Sequence, residues 1–135
     1  MDKLIKNIIH VFPTKDVKNI YTIIKNYNSN DWIKYKKTTD DYTKKIIYQN
    51  KYFEAVLISW NKNTSTEIHS HPKYGCLLKV LDGQLVETVY NKDNIITNVL
   101  NKNDIGYRSG GECHKIKATK NSHSLHIYSP PGFYK

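Results

Sequence analysis

Seven short β-rich runs follow one another along most of this 135-residue chain, with no helical pattern between them. From about residue 42 onward they read YTKKIIY, YFEAVLISW, CLLKVL, QLVETVY, IITNVL, HKIKAT and SLHIYS. Turn-forming residues separate them: Asp82-Gly83 predicts a hairpin between the third and fourth runs, and NKDN at 91–94 predicts a second turn. Successive strands without intervening helices favour an antiparallel barrel or jelly roll over a parallel sheet.

The N-terminal part of the chain predicts helices. Apolar residues recur at helical spacing in 3–12 and again in 16–27, and Pro13 and Thr14 separate the two stretches. The NSND stretch at 28–31 supplies N-cap residues for a short third helix.

These patterns predict one domain over residues 1–135. It has a helical start over about 1–37, with two to three short helices, and an antiparallel β-barrel over about 42–135. The chain is mainly β in this interpretation.

The composition favours a globular protein without a membrane partner. Hydrophobic residues make up 39% of the chain and charged residues 24%, and no apolar run approaches the ~20 residues of a membrane span. The N-terminal stretch MDKLIKNIIHVF is amphipathic and does not resemble a secretory signal, which predicts a cytoplasmic location. In that compartment Cys76 and Cys113 are expected to remain reduced.

The formal charge of +9 would suit nucleic-acid binding, because lysine and arginine release counterions from phosphates. However, the lysines are spread along the chain and Arg108 is the one arginine, whereas phosphate readers favour arginine. The abundance of Lys, Asn and Ile is explained more simply by an AT-rich coding sequence. We therefore predict no nucleic-acid partner, and we expect a monomer.

Three histidines are candidates for a metal site. His69 and His71 stand two residues apart, so that in an extended segment both project from the same side of the chain. A solvent-exposed edge explains the pair equally well. His114 opens the run HKIKAT and would lie on a neighbouring strand or its rim. Together the three could converge on one ion.

The run SLHIYS places polar and apolar side chains on opposite faces. Ser124, His126 and Tyr128 fall on one face, and Leu125 and Ile127 fall on the other. Either the apolar pair packs outward against another layer while the polar trio faces a cavity, or the trio faces solvent while the pair enters the core. The alternation alone leaves both arrangements open.

These residues resemble a known family. The block that begins at His69 resembles the first cupin motif, with Cys76 at the position where cupins usually have Glu. With that substitution, the motif resembles the one in cysteine dioxygenases. These are mononuclear iron enzymes that oxidise a thiol to a sulfinate. GGECH at 110–114 and SLHIYSPP at 124–131 resemble later motifs of that family, and Trp60 stands nine residues before His69, as the family's strand tryptophan does. The resemblance implies a cupin-type jelly roll.

The resemblance also implies a ligand set. Family members commonly continue well past the SPP segment, so we expect a short member that lacks the usual C-terminal tail. His69, His71 and His114 would hold a mononuclear Fe(II) ion. Many iron sites use two histidines and one carboxylate. A site of three neutral imidazoles omits the carboxylate, which leaves the ion electropositive enough to hold a thiolate and O₂ together. Zinc is the alternative metal.

Further site residues follow from the same resemblance. Cys76 and Tyr128 match the pair that forms a thioether bond in many cysteine dioxygenases. Tyr128 would place its phenol near the iron, and His126 with Ser124 would orient that phenol through hydrogen bonds.

The substrate site departs from the family pattern. Tyr42-Thr43-Lys44 matches a Tyr-x-Arg stretch whose arginine binds the substrate carboxylate. Lys44 keeps the charge but gives a point contact instead of a bidentate one, which predicts weaker orientation of a free amino acid. Tyr42 and Trp60 would line the same pocket, and Arg108 is an alternative partner for the carboxylate.

The leading hypothesis is an iron-dependent thiol dioxygenase that converts L-cysteine and O₂ to cysteine sulfinate. Lys44 keeps open a dioxygenase of another small thiol, such as a mercaptocarboxylate, although Cys76 favours the cysteine branch. A non-catalytic metal-binding cupin is the alternative from a different class.

Overall fold

The chain folds into short helices followed by strands. A computed structural model describes residues 1–12, 16–37 and 40–134. The helices are α1 (Asp2–Val11), a 3₁₀ helix (Val17–Ile20), α2 (Tyr21–Asn26) and a second 3₁₀ helix (Ile33–Tyr35). The strands are β1 (Tyr42–Gln49), β2 (Glu54–Trp60), β3 (Cys76–Asp82), β4 (Gln84–Tyr90), β5 (Ile95–Asn101), β6 (Ile105–Arg108), β7 (Cys113–Ala118) and β8 (Ser122–Tyr128).

The prediction of a mainly β chain with two to three short N-terminal helices is confirmed. The break predicted at Pro13 and Thr14 lies outside the described residues. Within the described ranges, every helix is too short or too polar to cross a membrane.

The strands form two antiparallel sheets. The larger sheet has the order β1-β2-β8-β3-β6, and the smaller has the order β5-β4-β7. Strand β8 lies between β2 and β3, so the end of the chain occupies the middle of the larger sheet. The chain therefore passes back and forth between two sheets, as it does in a jelly roll.

The larger sheet is covered on both faces. One face packs against the N-terminal helices, through the apolar residues Ile8, Ile20, Ile24, Leu57, Leu77, Leu125 and Ile127. The other face packs against the smaller sheet in a second cluster. Val56, Ile58, Trp60, Leu78 and Tyr128 of the larger sheet meet Leu85 and Ile116 of the smaller sheet there. Every residue of β2 is buried for this reason. The helices are thus the outer layer against which Leu125 and Ile127 pack, and the polar face of β8 points to the interior.

The predicted hairpin at Asp82-Gly83 is wrong. Strands β3 and β4 lie in different sheets, and Gly83 carries the chain from one to the other with φ of +82°. A Cβ atom on Gly83 would lie 2.1 Å from the hydroxyl oxygen of Ser122, so no side chain fits. The sequence indicated the positive φ correctly, but the same backbone conformation serves a crossover as well as a hairpin turn.

Strand β6 has no counterpart among the predicted runs. Its four residues, IGYR, contain a glycine and an arginine and show no strand periodicity. Pairing with β3 makes it a strand, with Gly106 opposite Leu78. Tertiary contact therefore outweighs local propensity here.

Lys79 is a buried cation that joins β3 to the helical layer. Its side chain is 2% exposed, and its ammonium donates to the carbonyl oxygens of Ile24, Lys25 and Tyr27 at 3.1, 3.1 and 2.5 Å. These carbonyls lie at the C-terminal end of α2, where the helix dipole favours a positive charge, and that of Ile24 also accepts from the backbone N–H of Tyr27. Lys79 thus caps the C-terminus of α2 from across the core.

We expect Lys79→Met to lower the free energy of unfolding by about 2 kcal/mol, because buried carbonyl oxygens lose their donor. Denaturant unfolding measures the change, and Lys62→Met provides the control at an exposed lysine. An unfolding free energy equal to that of the control variant would show that Lys79 does not stabilise the helix end.

Candidate active site

Three histidine side chains meet between two parts of the chain. His69 and His71 belong to the segment between β2 and β3, and His114 lies on β7. Their ligand atoms all lie within 4.8 Å of one another, and His114 Nε2 is 3.0 Å from the Nε2 atoms of both other rings. The segment is not a strand; an isolated bridge between His69 and His114 places it beside β7. The predicted convergence is confirmed.

Hydrogen bonds fix the orientation of each imidazole. Every Nδ1 atom faces an oxygen that can only accept, so in the neutral rings Nδ1 carries the proton and Nε2 presents a lone pair. The acceptors are the carbonyl oxygens of Glu67 and Glu112 and the Glu87 carboxylate, at 2.9, 2.7 and 2.7 Å from His69, His71 and His114 respectively. Three lone pairs thus point into one small volume, which favours a cation there.

Burial keeps two of these rings neutral. Desolvation, reinforced by the neighbouring His114, lowers the pKa of His71 to about 4. Desolvation likewise lowers the pKa of His69, although the hydrogen bond to Glu67 opposes it. At neutral pH both lone pairs are therefore available to a metal.

The two nitrogen separations that involve His114 fit imidazoles on one ion. Two nitrogens about 2.1 Å from a common ion are about 3.0 Å apart at a right angle and about 3.4 Å apart at a tetrahedral angle. The two Nε2 separations of 3.0 Å therefore favour the right angle. Imidazole nitrogens suit iron, and also zinc, copper and nickel.

Glu87 is a site residue that the sequence interpretation missed. It is 1% exposed on β4, and its carboxylate accepts from His114 Nδ1 at 2.7 Å, Arg108 Nε at 3.0 Å and Asn98 Nδ2 at 3.3 Å. Although desolvation raises the pKa of Glu87, the bonds from His114 and Arg108 outweigh it and hold that pKa below its usual value. The signal was present, because Glu87 occupies an inward position of the alternating run QLVETVY.

Arg108 is bonded to protein carboxylates. Besides Glu87, its guanidinium donates from Nη1 to Glu112 Oε2 at 3.3 Å. Ser109 donates to the other oxygen of Glu112 from its amide and its hydroxyl, both at 2.7 Å. The guanidinium thus supports the groups behind His114 and is already paired with two carboxylates.

The polar face of β8 is buried and hydrogen-bonded in series. Trp60 Nε1 donates to Ser124 Oγ at 2.9 Å, Ser124 Oγ is 2.7 Å from His126 Nε2, and His126 Nδ1 is 3.1 Å from the Tyr128 hydroxyl. Complete burial lowers the pKa of His126 well below its usual value. A neutral imidazole has one donor and one acceptor nitrogen, so His126 couples the Ser124 and Tyr128 hydroxyls in a single direction.

Cys76 and Tyr128 lie directly opposite each other on β3 and β8. Both are buried, at 3% and 4% exposure, and Cys76 is a free thiol. Burial raises the pKa of each, so both keep their protons at neutral pH. Side chains of directly opposed strand residues are neighbours, with Cβ atoms typically ~5 Å apart.

A cavity of about 500 Å³ opens beside His69. Tyr42, Lys44 and Tyr134 line it together with Thr66. Lys44 remains exposed to solvent, yet crowding by protein atoms lowers its pKa while Glu54 opposes the shift.

Trp60 lies behind this cavity. Its ring centroid is 5.1 Å from that of Tyr42, and its indole is 3% exposed. The cavity therefore joins Tyr42 and Lys44 to one histidine of the cluster, with Trp60 as support.

Residues 3–134 match the sequence pattern of cysteine dioxygenase type I. The chain belongs to this family. Cysteine dioxygenase type 1 of Danio rerio is 28% identical over 97% of this chain and 75% of its own length. The Homo sapiens protein of the same name is 30% identical over 86% of this chain and 66% of its own length. Membership in the cysteine dioxygenase family supports a dioxygenase activity.

Solved structures confirm the cupin fold of this cysteine dioxygenase family member. A cupin superfamily protein from Desulfitobacterium hafniense superposes with a TM-score of 0.60 at 18% identity, over 70% of this chain and 82% of its own. KdgF from Halomonas sp. gives 0.63 at 15% identity, over 73% and 86%. Together with the two antiparallel sheets, these similarities show a cupin jelly roll.

Proposed function

We propose that this protein is an iron-dependent thiol dioxygenase that converts L-cysteine and O₂ to cysteine sulfinate. The observation that supports it most is the convergence of the Nε2 atoms of His69, His71 and His114, each with its Nδ1 proton committed to an oxygen. Neutral ligands leave the charge of Fe(II) uncompensated, which favours a thiolate beside it. When bound, iron supplies the redox chemistry by which both atoms of O₂ pass to sulfur.

Lys44 and Tyr42 are proposed to bind the substrate. The Lys44 ammonium offers a positive charge for the cysteine carboxylate on the wall that also contains His69. Because Trp60 is buried behind Tyr42 and bonded to Ser124, we propose that it supports both residues and does not touch the substrate.

Tyr128 is proposed as a hydrogen-bonding group of the reaction site. Burial keeps its phenol protonated, and His126 fixes the position of its oxygen. Ser124 holds the far nitrogen of His126, so that the phenol is oriented by the whole series.

A monomeric, single-domain, cytoplasmic protein remains the prediction from sequence.

Oxygen uptake by iron-loaded protein with three thiols tests the proposal. We expect uptake with cysteine, which carries thiol, amine and carboxylate. Uptake with 3-mercaptopropionate but not cysteine would instead support a mercaptocarboxylate dioxygenase, the alternative that Lys44 keeps open. No uptake with cysteine, 3-mercaptopropionate or cysteamine would leave a non-catalytic metal-binding cupin as the remaining hypothesis.

We expect Lys44→Met to raise the KM for cysteine by about tenfold, because the carboxylate loses one charge-assisted contact. Steady-state kinetics measures it. Lys45→Met is the matched control, since neighbouring strand residues point to opposite faces. Equal KM values for the two variants would contradict a role for Lys44 in carboxylate binding.

We expect the iron-loaded protein to form a thioether between Cys76 and Tyr128 during turnover, because the two residues are opposed across β3 and β8. O₂ would be the oxidant that accepts the hydrogens lost from the Cys76 thiol and the Tyr128 ring, and the intact mass would then fall by two hydrogens. Cys113→Ala should retain this loss and Cys76→Ala should abolish it. An unaltered mass after many turnovers would count against the bond.

A further inference from the structure

Tyr134 contacts both the three-histidine cluster and the polar face of β8. Its ring packs edge-on against His69, at a centroid distance of 5.6 Å, and against Tyr128, at 4.9 Å. Its hydroxyl donates to the carbonyl oxygen of Ser70 at 2.7 Å. Ser70 lies between His69 and His71, so this bond ties the tyrosine directly to the segment that carries two of the histidines.

The same ring holds the Lys44 ammonium. Lys44 Nζ lies 4.7 Å from the centroid of the Tyr134 ring, within the range of a cation–π contact. A lysine stem has four flexible carbons, so an unsupported ammonium would sample many positions in the cavity. The aromatic face restricts that freedom, and the Ser70 bond fixes the face itself.

We propose that Tyr134 is a positioning and specificity-determining residue, whose ring holds the Lys44 ammonium at a fixed place beside the three-histidine cluster so that the cavity selects small thiols bearing a carboxylate. This inference rests on the proposed function and names how that site chooses its substrate. It also gives a physical reason why lysine can stand in this cavity, since Tyr134 supplies the rigidity that a planar guanidinium would have on its own.

The first test measures the contact between Lys44 and the Tyr134 ring without turnover. In metal-free protein with ¹³C-labelled lysine, the Cε protons of Lys44, assigned with Lys44→Arg, should show an upfield ring-current shift. Tyr134→Leu should remove the shift, and Tyr134→Phe, which keeps the ring but loses the Ser70 bond, should retain part of it. Phe133→Leu is the matched control, because Phe133 packs against Tyr134 and is itself 48% exposed. A Lys44 resonance unchanged by Tyr134→Leu would overturn the inference.

The second test reads selectivity through binding in the absence of O₂. Calorimetry on iron-loaded protein should show that Tyr134→Leu weakens cysteine binding about tenfold and leaves cysteamine, which has no carboxylate, within about twofold. In the Lys44→Met background Tyr134→Leu should have no further effect on cysteine. Two results would make Tyr134 merely structural. One is an equal loss of affinity for cysteine and cysteamine, and the other is a tenfold loss of cysteine affinity that persists in the Lys44→Met background.

Binding also separates this inference from the proposed function. If Tyr134→Leu weakens cysteine binding selectively but the wild-type protein oxidises no thiol, the dioxygenase proposal fails and the role of Tyr134 stands. If thiols are oxidised but Tyr134→Leu does not change selectivity, the role of Tyr134 fails and the dioxygenase proposal stands.

Discussion

Replacement of His71 by alanine is expected to abolish stoichiometric iron binding and, with it, thiol oxidation. The His71 ring is 3% exposed and its Nε2 atom lies 3.0 Å from that of His114, so its loss removes one of three converging lone pairs. The loss of affinity should exceed the ~10–100-fold typical of changes behind a ligand. Elemental analysis after iron loading and desalting measures it.

His10→Ala is the control for this variant, because His10 is exposed on α1. Both variants should unfold cooperatively, which separates loss of the metal from loss of the fold. Retention of one iron per chain by a folded His71→Ala protein would contradict the ligand set.

Substitution of Glu87 by glutamine is expected to weaken iron binding by about 10–100-fold. The carboxylate accepts the Nδ1 proton of His114 at 2.7 Å and thereby fixes the ring and makes Nε2 a better donor. A neutral amide would also leave the Arg108 guanidinium with less compensation in a partly buried position. Competition with a chelator of known iron affinity measures the change.

Glu112→Gln is the matched control for Glu87. The Glu112 side chain also pairs with Arg108, but it is the backbone carbonyl of Glu112 that receives the His71 Nδ1 proton, and this carbonyl survives the substitution. The control should therefore retain most of the iron affinity. Equal losses in the two variants would show that the Arg108 ion pairs matter and that the bond to His114 does not.

The alternation of side chains along a strand predicted those parts of the site that depend on contacts between residues close in sequence. Ser124, His126 and Tyr128 share a face of β8 because strand side chains alternate, and their hydrogen bonds follow from that face. The sequence did not decide which face is interior, since that depends on the helices packing over Leu125 and Ile127.

Three features set by distant parts of the chain were not predicted: the roles of Glu87 and Tyr134 and the crossover at Gly83. Glu87 and Tyr134 reach the site through contacts that span from 27 to 90 residues, with His114 in one case and Lys44 in the other. Likewise, Gly83 signals a positive φ, but whether the chain then pairs with itself or enters the other sheet depends on the tertiary arrangement. The family resemblance named the ligands without showing what orients them.

Isotope incorporation from ¹⁸O₂ tests the central claim most directly. Iron-loaded protein should convert cysteine to a sulfinate in which both oxygen atoms carry the label, since both come from one O₂ molecule. Singly labelled sulfinate, or disulfide as the sole oxidised product, would contradict a dioxygenase built on His69, His71 and His114.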